Sequence, residues 1–146
     1  SAFTGTIKSA VGIGSLLCDG IGDTIRVSLT ASPEKEIEAA RAILDASECG
    51  RGGVSLVSCP TCGRTNIDLI SLVNEFEIRK SEIKTERPIT VAIMGCAVNG
   101  PGEAREADIG IAGGKGEALL FKKGVIVGKL PENAIIDALI EEINRL

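Results

Sequence analysis

The chain has 146 residues, of which 44% are hydrophobic and 25% charged, with a formal net charge of −4. This is the composition of a folded globular chain, and the modest negative charge offers no broad surface for nucleic acid or membrane. Histidine is absent, which excludes a Ser-His-Asp triad, a Cys-His pair and every His-containing zinc site, so any metal must be held by sulfur and oxygen.

Aromatics are limited to three Phe, so the core is built from Ile, Val, Leu and Ala. Residues 6–19 are predicted as a helix, with Ala10, Ile13, Gly14 and Leu17 on one face. Asp19 to Asp23 forms a turn. Residues 24–29 alternate and are rich in β-branched side chains, which predicts a strand. Ser32 and Pro33 then open a second helix reaching about Ser47, with Ile37, Ala40 and Leu44 on its buried side. Helix, strand, helix is one turn of an α/β barrel or doubly wound sheet, and one such unit does not cover both faces of its own strand. Residues 1–50 therefore read as a piece of a larger α/β domain.

Cys49-Gly50-Arg51-Gly52-Gly53 is a flexible break and the expected domain boundary, giving domains 1–50 and 51–146. Residues 54–57 are predicted as a short buried strand running into Ser58-Cys59-Pro60-Thr61-Cys62-Gly63-Arg64. Residues 67–80 form a helix, with Leu69, Leu72, Val73 and Phe76 on one face and Asp68 as its cap. Residues 81–88 are a charged connector. Further strands are expected at 89–94, 108–112, 117–121 and 125–127, with a hairpin turn at Lys122-Lys123-Gly124. Pro131 is expected to open the last helix, whose apolar side carries Ile136, Leu139, Ile140 and Ile143. The second domain is thus β-α-β-β-β-β-α, an α+β sandwich with helices on one sheet face.

No apolar run approaches the ~20 residues needed to span a bilayer, and the start has no charged leader followed by an apolar segment. The expected location is therefore cytoplasmic, where close-spaced cysteines are metal-binding or redox-active more often than structural disulfides. Cys59 and Cys62 lie where a strand ends, and so does Cys96 in Met94-Gly95-Cys96-Ala97-Val98-Asn99-Gly100-Pro101-Gly102-Glu103. Two strands ending on the same sheet edge bring three sulfurs together, which is a layout for an iron–sulfur cluster. Amides near the following helix start are expected to stabilise thiolate charge.

Other readings stand beside this one. CxxC is also half of a structural zinc site, with Cys18 or Cys49 as a further sulfur, or a thioredoxin-like redox disulfide; the thiols can also be inert. Cys18 and Cys49 themselves read as buried or incidental thiols. The turn from Asn99 to Gly102 is either a plain tight turn or a place where glycines let the backbone approach a cluster or ligand. Glu103 rises above an ordinary surface acid only by its place seven residues after Cys96. Arg26 and Ser28 alternate on the 24–29 strand and suit phosphate oxygens, the alternative being a structural Arg inside a barrel. Lys8 and Ser9, read as opening the first helix, are weaker phosphate candidates. Arg64 balances thiolate charge.

SCPTCGR, GCAVNGPGEAREADIGIAGG and GIGDTIRVSLT together closely resemble the bacterial 4-hydroxy-3-methylbut-2-enyl diphosphate synthase family of the non-mevalonate isoprenoid pathway. The resemblance covers essentially the whole chain. It implies the last β/α part of a triosephosphate-isomerase-type (TIM) barrel followed by an iron–sulfur domain similar to that of sulfite and nitrite reductases, so the chain is expected to be a C-terminal fragment, inactive alone. The family's [4Fe–4S] cluster is held by three cysteines and a glutamate, which fall on Cys59, Cys62, Cys96 and Glu103. Glu103 would then be an exchangeable ligand with a catalytic role, and Asn99 a substrate-contacting neighbour. The implied activity is the two-electron ring opening and dehydration of 2-C-methyl-D-erythritol 2,4-cyclodiphosphate. Flavodoxin or ferredoxin is the implied electron donor, and the full-length protein is implied to be a homodimer. The reading from another class is a non-catalytic iron–sulfur or zinc module for electron transfer or scaffolding.

Overall fold

A computed structural model of the chain describes residues 1–50, 53–85, 87–97, 102 and 104–146. It divides into two compact units, Ser1–Arg51 and Gly52–Leu146.

The first unit holds two helices, α1 (Ala2–Cys18) and α2 (Pro33–Ala46). Helix α1 starts four residues before the expected point, because the Ser1 hydroxyl accepts the Thr4 amide at 3.4 Å and caps it. Its buried residues are Gly14 and Leu17, with Ile13 half-buried and Ala10 exposed. On α2 the buried stripe is Ala39 and Ile43, flanked by Ala40 and Leu44, while Ile37 is exposed rather than inward. Ser32 stands at the N-cap without making the side-chain cap bond.

The strand expected at 24–29 is not a strand. Its period-2 pattern is real, with Ile25, Val27 and Leu29 turned to the small core and Thr24, Arg26 and Ser28 exposed. However, the other described elements of the unit are helices, so no neighbouring strand supplies ladder hydrogen bonds. One donor is satisfied instead by α2, whose Glu36 Oε1 accepts the Leu29 amide at 2.8 Å.

The second unit runs β1 (Val54–Ser58), α3 (Leu69–Arg79), β2 (Ile89–Met94), β3 (Ile109–Gly113), β4 (Glu117–Lys122), β5 (Val125–Pro131) and α4 (Ile135–Ile143), with short 3₁₀ turns at Lys80–Glu82 and Glu132–Ala134. The strands form one sheet in the order β1-β2-β3-β4-β5. β1, β2 and β3 are parallel, and β3, β4 and β5 antiparallel. Ile89, Val91 and Ile93 on β2 and Ile109 and Ile111 on β3 pack with Leu72 and Phe76 of α3 and Leu139 and Ile143 of α4. The opposite sheet face is covered too, Ala92, Met94, Ala112 and Phe121 packing with Ala104 and Ala107. Burial on two faces explains why β2 reads as a nearly continuous apolar run, interrupted by the half-buried Thr90.

Three expectations need correction here. β1 is a half-exposed edge strand, not a buried one. β5 continues well past Val127, and as the other edge it leaves Val125, Ile126 and Val127 exposed. Pro131 ends β5 instead of opening a helix, a tolerable place because an edge-strand terminus needs no amide there. α4 begins at Ile135, after the 3₁₀ turn. The β4–β5 hairpin turns at Lys123 and Gly124, both with positive φ (47° and 75°), the pattern of a two-residue turn that matches strand twist.

Candidate metal centre

The sheet topology decides where the cysteines lie. β1 and β2 are parallel and paired with Ser58 opposite Ile93, so their carboxyl ends share one edge. Cys59 is the first residue beyond β1, and Cys96 the second beyond β2. The two ends are bonded to each other: the Gly95 amide donates to Cys59 Sγ at 3.3 Å. Cys59 is half-buried, Cys96 buried and Cys62 exposed, and all are free thiols.

Between the cysteines the CxxC loop closes on itself and on β2. The Thr65 amide donates to the Cys62 carbonyl at 3.0 Å, and the Cys62 amide to Thr65 Oγ1 at 3.2 Å. The Asn66 amide donates to the Gly95 carbonyl at 3.0 Å. A Cβ at position 95 would lie 2.9 Å from both Thr65 Cγ2 and Oγ1, so any larger residue there displaces Thr65.

The Cys62 thiol is shifted below its ordinary range, first by the Arg64 amide and next by a hydrogen bond from the Arg64 side chain. Slight burial opposes this, while the Thr65 side chain and the Arg64 charge assist. The thiolate, which is the metal-ligating form, is therefore favoured. The amides that stabilise sulfur come from Arg64 and Gly95. The first turn of α3 is occupied otherwise, its Ser71 amide being taken by the Asp68 carboxylate at 3.2 Å.

Asn99 and Glu103 lie outside the described residues. Among the described residues no group of three or more Cys, Asp or Glu is gathered closely enough to hold a metal ion. A cluster asks for something else, sulfurs on separate irons and backbone N–H groups directed at them. The structure ties Cys59 to the strand end that precedes Cys96, with an amide already on its sulfur, and Cys62 follows in the same loop; thiols with N–H donors are the donor chemistry such a cluster uses.

Arg26 and Ser28 lie in the first unit, both exposed on the same side of the extended segment. Lys8 and Ser9 fall in the middle of α1, not at its opening, so neither profits from a helix terminus. Cys18 and Cys49 are exposed, not buried. The loop bonds of Thr65 and the close packing at Gly95 were not read from the sequence. The signal available was a glycine directly before Cys96, at a strand end.

Among the described residues no helix is long and apolar enough to cross a membrane. Residues 55–145 match the family model of the GcpE protein C-terminal domain, and residues 1–41 match that of the GcpE TIM-barrel domain. The chain is 59% identical over 142 residues to a protein of Clostridium acetobutylicum, covering 97% of this chain and 40% of that one. It is 58% identical over 144 residues to one of Geobacter sulfurreducens (99% and 40%) and 57% identical over 144 residues to one of Geobacillus thermodenitrificans (99% and 38%). Each of these relatives is named 4-hydroxy-3-methylbut-2-en-1-yl diphosphate synthase (flavodoxin). The chain spans about two-fifths of their length. With more than half its residues matched by one family model, the chain belongs to the GcpE family.

Proposed function

We propose that the chain is the C-terminal part of a 4-hydroxy-3-methylbut-2-en-1-yl diphosphate synthase, an oxidoreductase of isoprenoid biosynthesis. Residues 1–50 contribute the last β/α portion of its barrel. Residues 51–146 form a domain of the sulfite- and nitrite-reductase kind that holds a [4Fe–4S] cluster through Cys59, Cys62, Cys96 and Glu103. The observation that carries this reading is the hydrogen bond from Gly95 to Cys59 Sγ, which ties the CxxC loop to the strand end that delivers Cys96.

The overall conversion takes 2-C-methyl-D-erythritol 2,4-cyclodiphosphate, two electrons and two protons to (E)-4-hydroxy-3-methylbut-2-enyl diphosphate and one water. No side chain of this chain is a two-electron donor that resets itself, so the electrons come from flavodoxin or ferredoxin through a cofactor. When bound, the cluster supplies single electrons and an iron whose carboxylate ligand exchanges more readily than thiolate. The protein's own residues do the rest. Cys59, Cys62 and Cys96 provide anionic sulfur, and Arg64 offsets part of that charge. Glu103 is the hard, exchangeable ligand, and Asn99 offers an amide to the substrate. Arg26 and Ser28 face one way, as a guanidinium and hydroxyl holding a diphosphate would. The working form is a cytoplasmic homodimer.

The test is iron and acid-labile sulfide per chain after anaerobic reconstitution, with about four of each expected for this cluster type. In the full-length protein Glu103→Cys is expected to keep iron and sulfide and lose turnover. Stoichiometric zinc without sulfide would overturn the reading in favour of a non-catalytic module, and unimpaired turnover of the variant would overturn the role given to Glu103.

A further inference from the structure

The cluster-ligand edge contains a second set of residues that hold no metal and yet fix where the thiols sit. Thr65 closes a small ring on Cys62 in both directions, its hydroxyl accepting the Cys62 amide at 3.2 Å and its amide donating to the Cys62 carbonyl at 3.0 Å. Thr65 also rests on Gly95 so closely that a Cβ there would meet its Cγ2 and Oγ1 at 2.9 Å. Gly95 in turn reaches both sides of the loop. Its amide donates to Cys59 Sγ at 3.3 Å, and its carbonyl accepts the Asn66 amide at 3.0 Å. The backbone is confined from a third direction, since a Cβ on Gly113 would stand 2.8 Å from the Gly95 carbonyl oxygen.

We infer that Thr65 and Gly95 are positioning residues for the cluster ligands, together setting the CxxC thiols in register with Cys96. This rests on the cluster assignment above. The physical case is that Cys59 and Cys62 belong to a loop, whereas Cys96 follows a central strand that is buried at all but one of its positions. A loop ligand holds its geometry only if something other than the metal holds it, and outer partners of this kind commonly change metal affinity 10–100-fold. Gly95 has a further effect. An N–H directed at a ligating sulfur stabilises the extra negative charge of the reduced cluster, so its distance from Cys59 sets part of the reduction potential.

The test uses the full-length protein, reconstituted anaerobically, with Thr65→Val, Thr65→Ser and Gly95→Ala compared by iron release to a chelator and by reduction potential. Thr65→Val keeps the shape and removes the acceptor, and is expected to release iron about tenfold faster. Thr65→Ser, which keeps the hydroxyl, is expected to restore most of the lifetime. Gly95→Ala pushes Thr65 and the loop away and is expected to move the potential to a more negative value. The potential is the readout that general destabilisation would not move in one direction. Thr65→Val matching the wild type in both measurements overturns the inference for Thr65, as does Thr65→Ser failing like Thr65→Val. An unshifted potential in folded, iron-loaded Gly95→Ala overturns it for Gly95. A wild-type protein that takes up no iron overturns the cluster assignment itself, a result distinct from the others.

Discussion

The Gly95 amide donates to the Cys59 sulfur at 3.3 Å, and the two residues lie just past the ends of neighbouring parallel strands. In the metal-free chain this bond is part of the fold, because Cys59 packs on both hydrophobic clusters of the second unit. Cys62 has no such role, being exposed. Cys59→Ala is therefore expected to destabilise the metal-free protein by about 1 kcal/mol, the usual scale for a lost hydrogen bond. Cys62→Ala is expected to stay within about 0.5 kcal/mol of the parent. Urea unfolding of the two variants under reducing conditions measures the difference, and equal stabilities would refute the structural role of Cys59.

The second prediction concerns Cys62 and pH. Its thiol is lowered, with the Arg64 amide as the first cause and the Arg64 side chain as the second. Iodoacetamide reacts with the thiolate, so the pH midpoint for alkylating Cys62 in the metal-free protein should fall below the ~8.5 of a free cysteine. Above that midpoint reactivity is at its plateau, and it is lost as pH falls through it. Arg64→Ala should raise the midpoint only partly, because the backbone amide remains. Peptide mapping by mass spectrometry across pH reads this out, and a Cys62 midpoint at or above that of a free thiol would contradict it.

Much of this arrangement was legible in the sequence. The β2 run, the apolar face of α3, the Asp68 cap and the Lys123-Gly124 turn all follow from local pattern, and local pattern is what settles them in the fold. The failures share one cause. Residues 24–29 carry a strand's alternation, but a strand also requires a neighbour to bond, and pattern does not supply one. Ile37 has the right spacing for the inner face of α2, yet which stripe is covered depends on what the helix meets. Pro131 is a good first residue for a helix and an equally good last residue for an edge strand. For the candidate site, the three thiols and their strand ends were visible. The bonds of Thr65 and Gly95 were not, because they depend on how close two loops come.

Gly110 shows the same dependence on close approach, in the centre of the sheet. A Cβ there would stand 2.5 Å from the Ala92 carbonyl oxygen and 2.6 Å from Phe121 Cζ, and Phe121 is fully buried. The backbone has no room to retreat between β2 and β4, so Gly110→Ala is expected to cost at least the 1–3 kcal/mol typical of overpacked cores. Trimming the obstacle should relieve it, so Gly110→Ala with Phe121→Leu is expected to be less unstable than the sum of the two single changes. Thermal or urea unfolding of the double-mutant cycle checks this, and strict additivity would show that the two sites are not in contact.

The last prediction concerns acid. Asp108 precedes β3, and its carboxylate accepts the Thr90 amide of β2 at 2.9 Å and the Arg87 guanidinium at 3.0 Å. Burial by itself would raise the carboxyl, but the Thr90 amide, the Arg87 bond and the charges of Arg87 and Lys123 outweigh it, and the net shift is downward. A carboxyl lowered in the folded state binds its proton more weakly there than in the unfolded chain. Its contribution is therefore complete above the unfolded value of about 3.9 and is lost as pH falls through the folded value. Asp108→Asn preserves the shape and removes the charge. At neutral pH it is expected to cost about 1–3 kcal/mol, because Thr90 and Arg87 lose a charged acceptor. Below about pH 4 the wild type progressively loses the same advantage, so the two unfolding curves should converge as the solution is made more acidic. Urea midpoints for both proteins across that range give the difference directly. If the gap at neutral pH persists unchanged in acid, the loss comes from packing, and the carboxylate is not what bonds β2 to the start of β3.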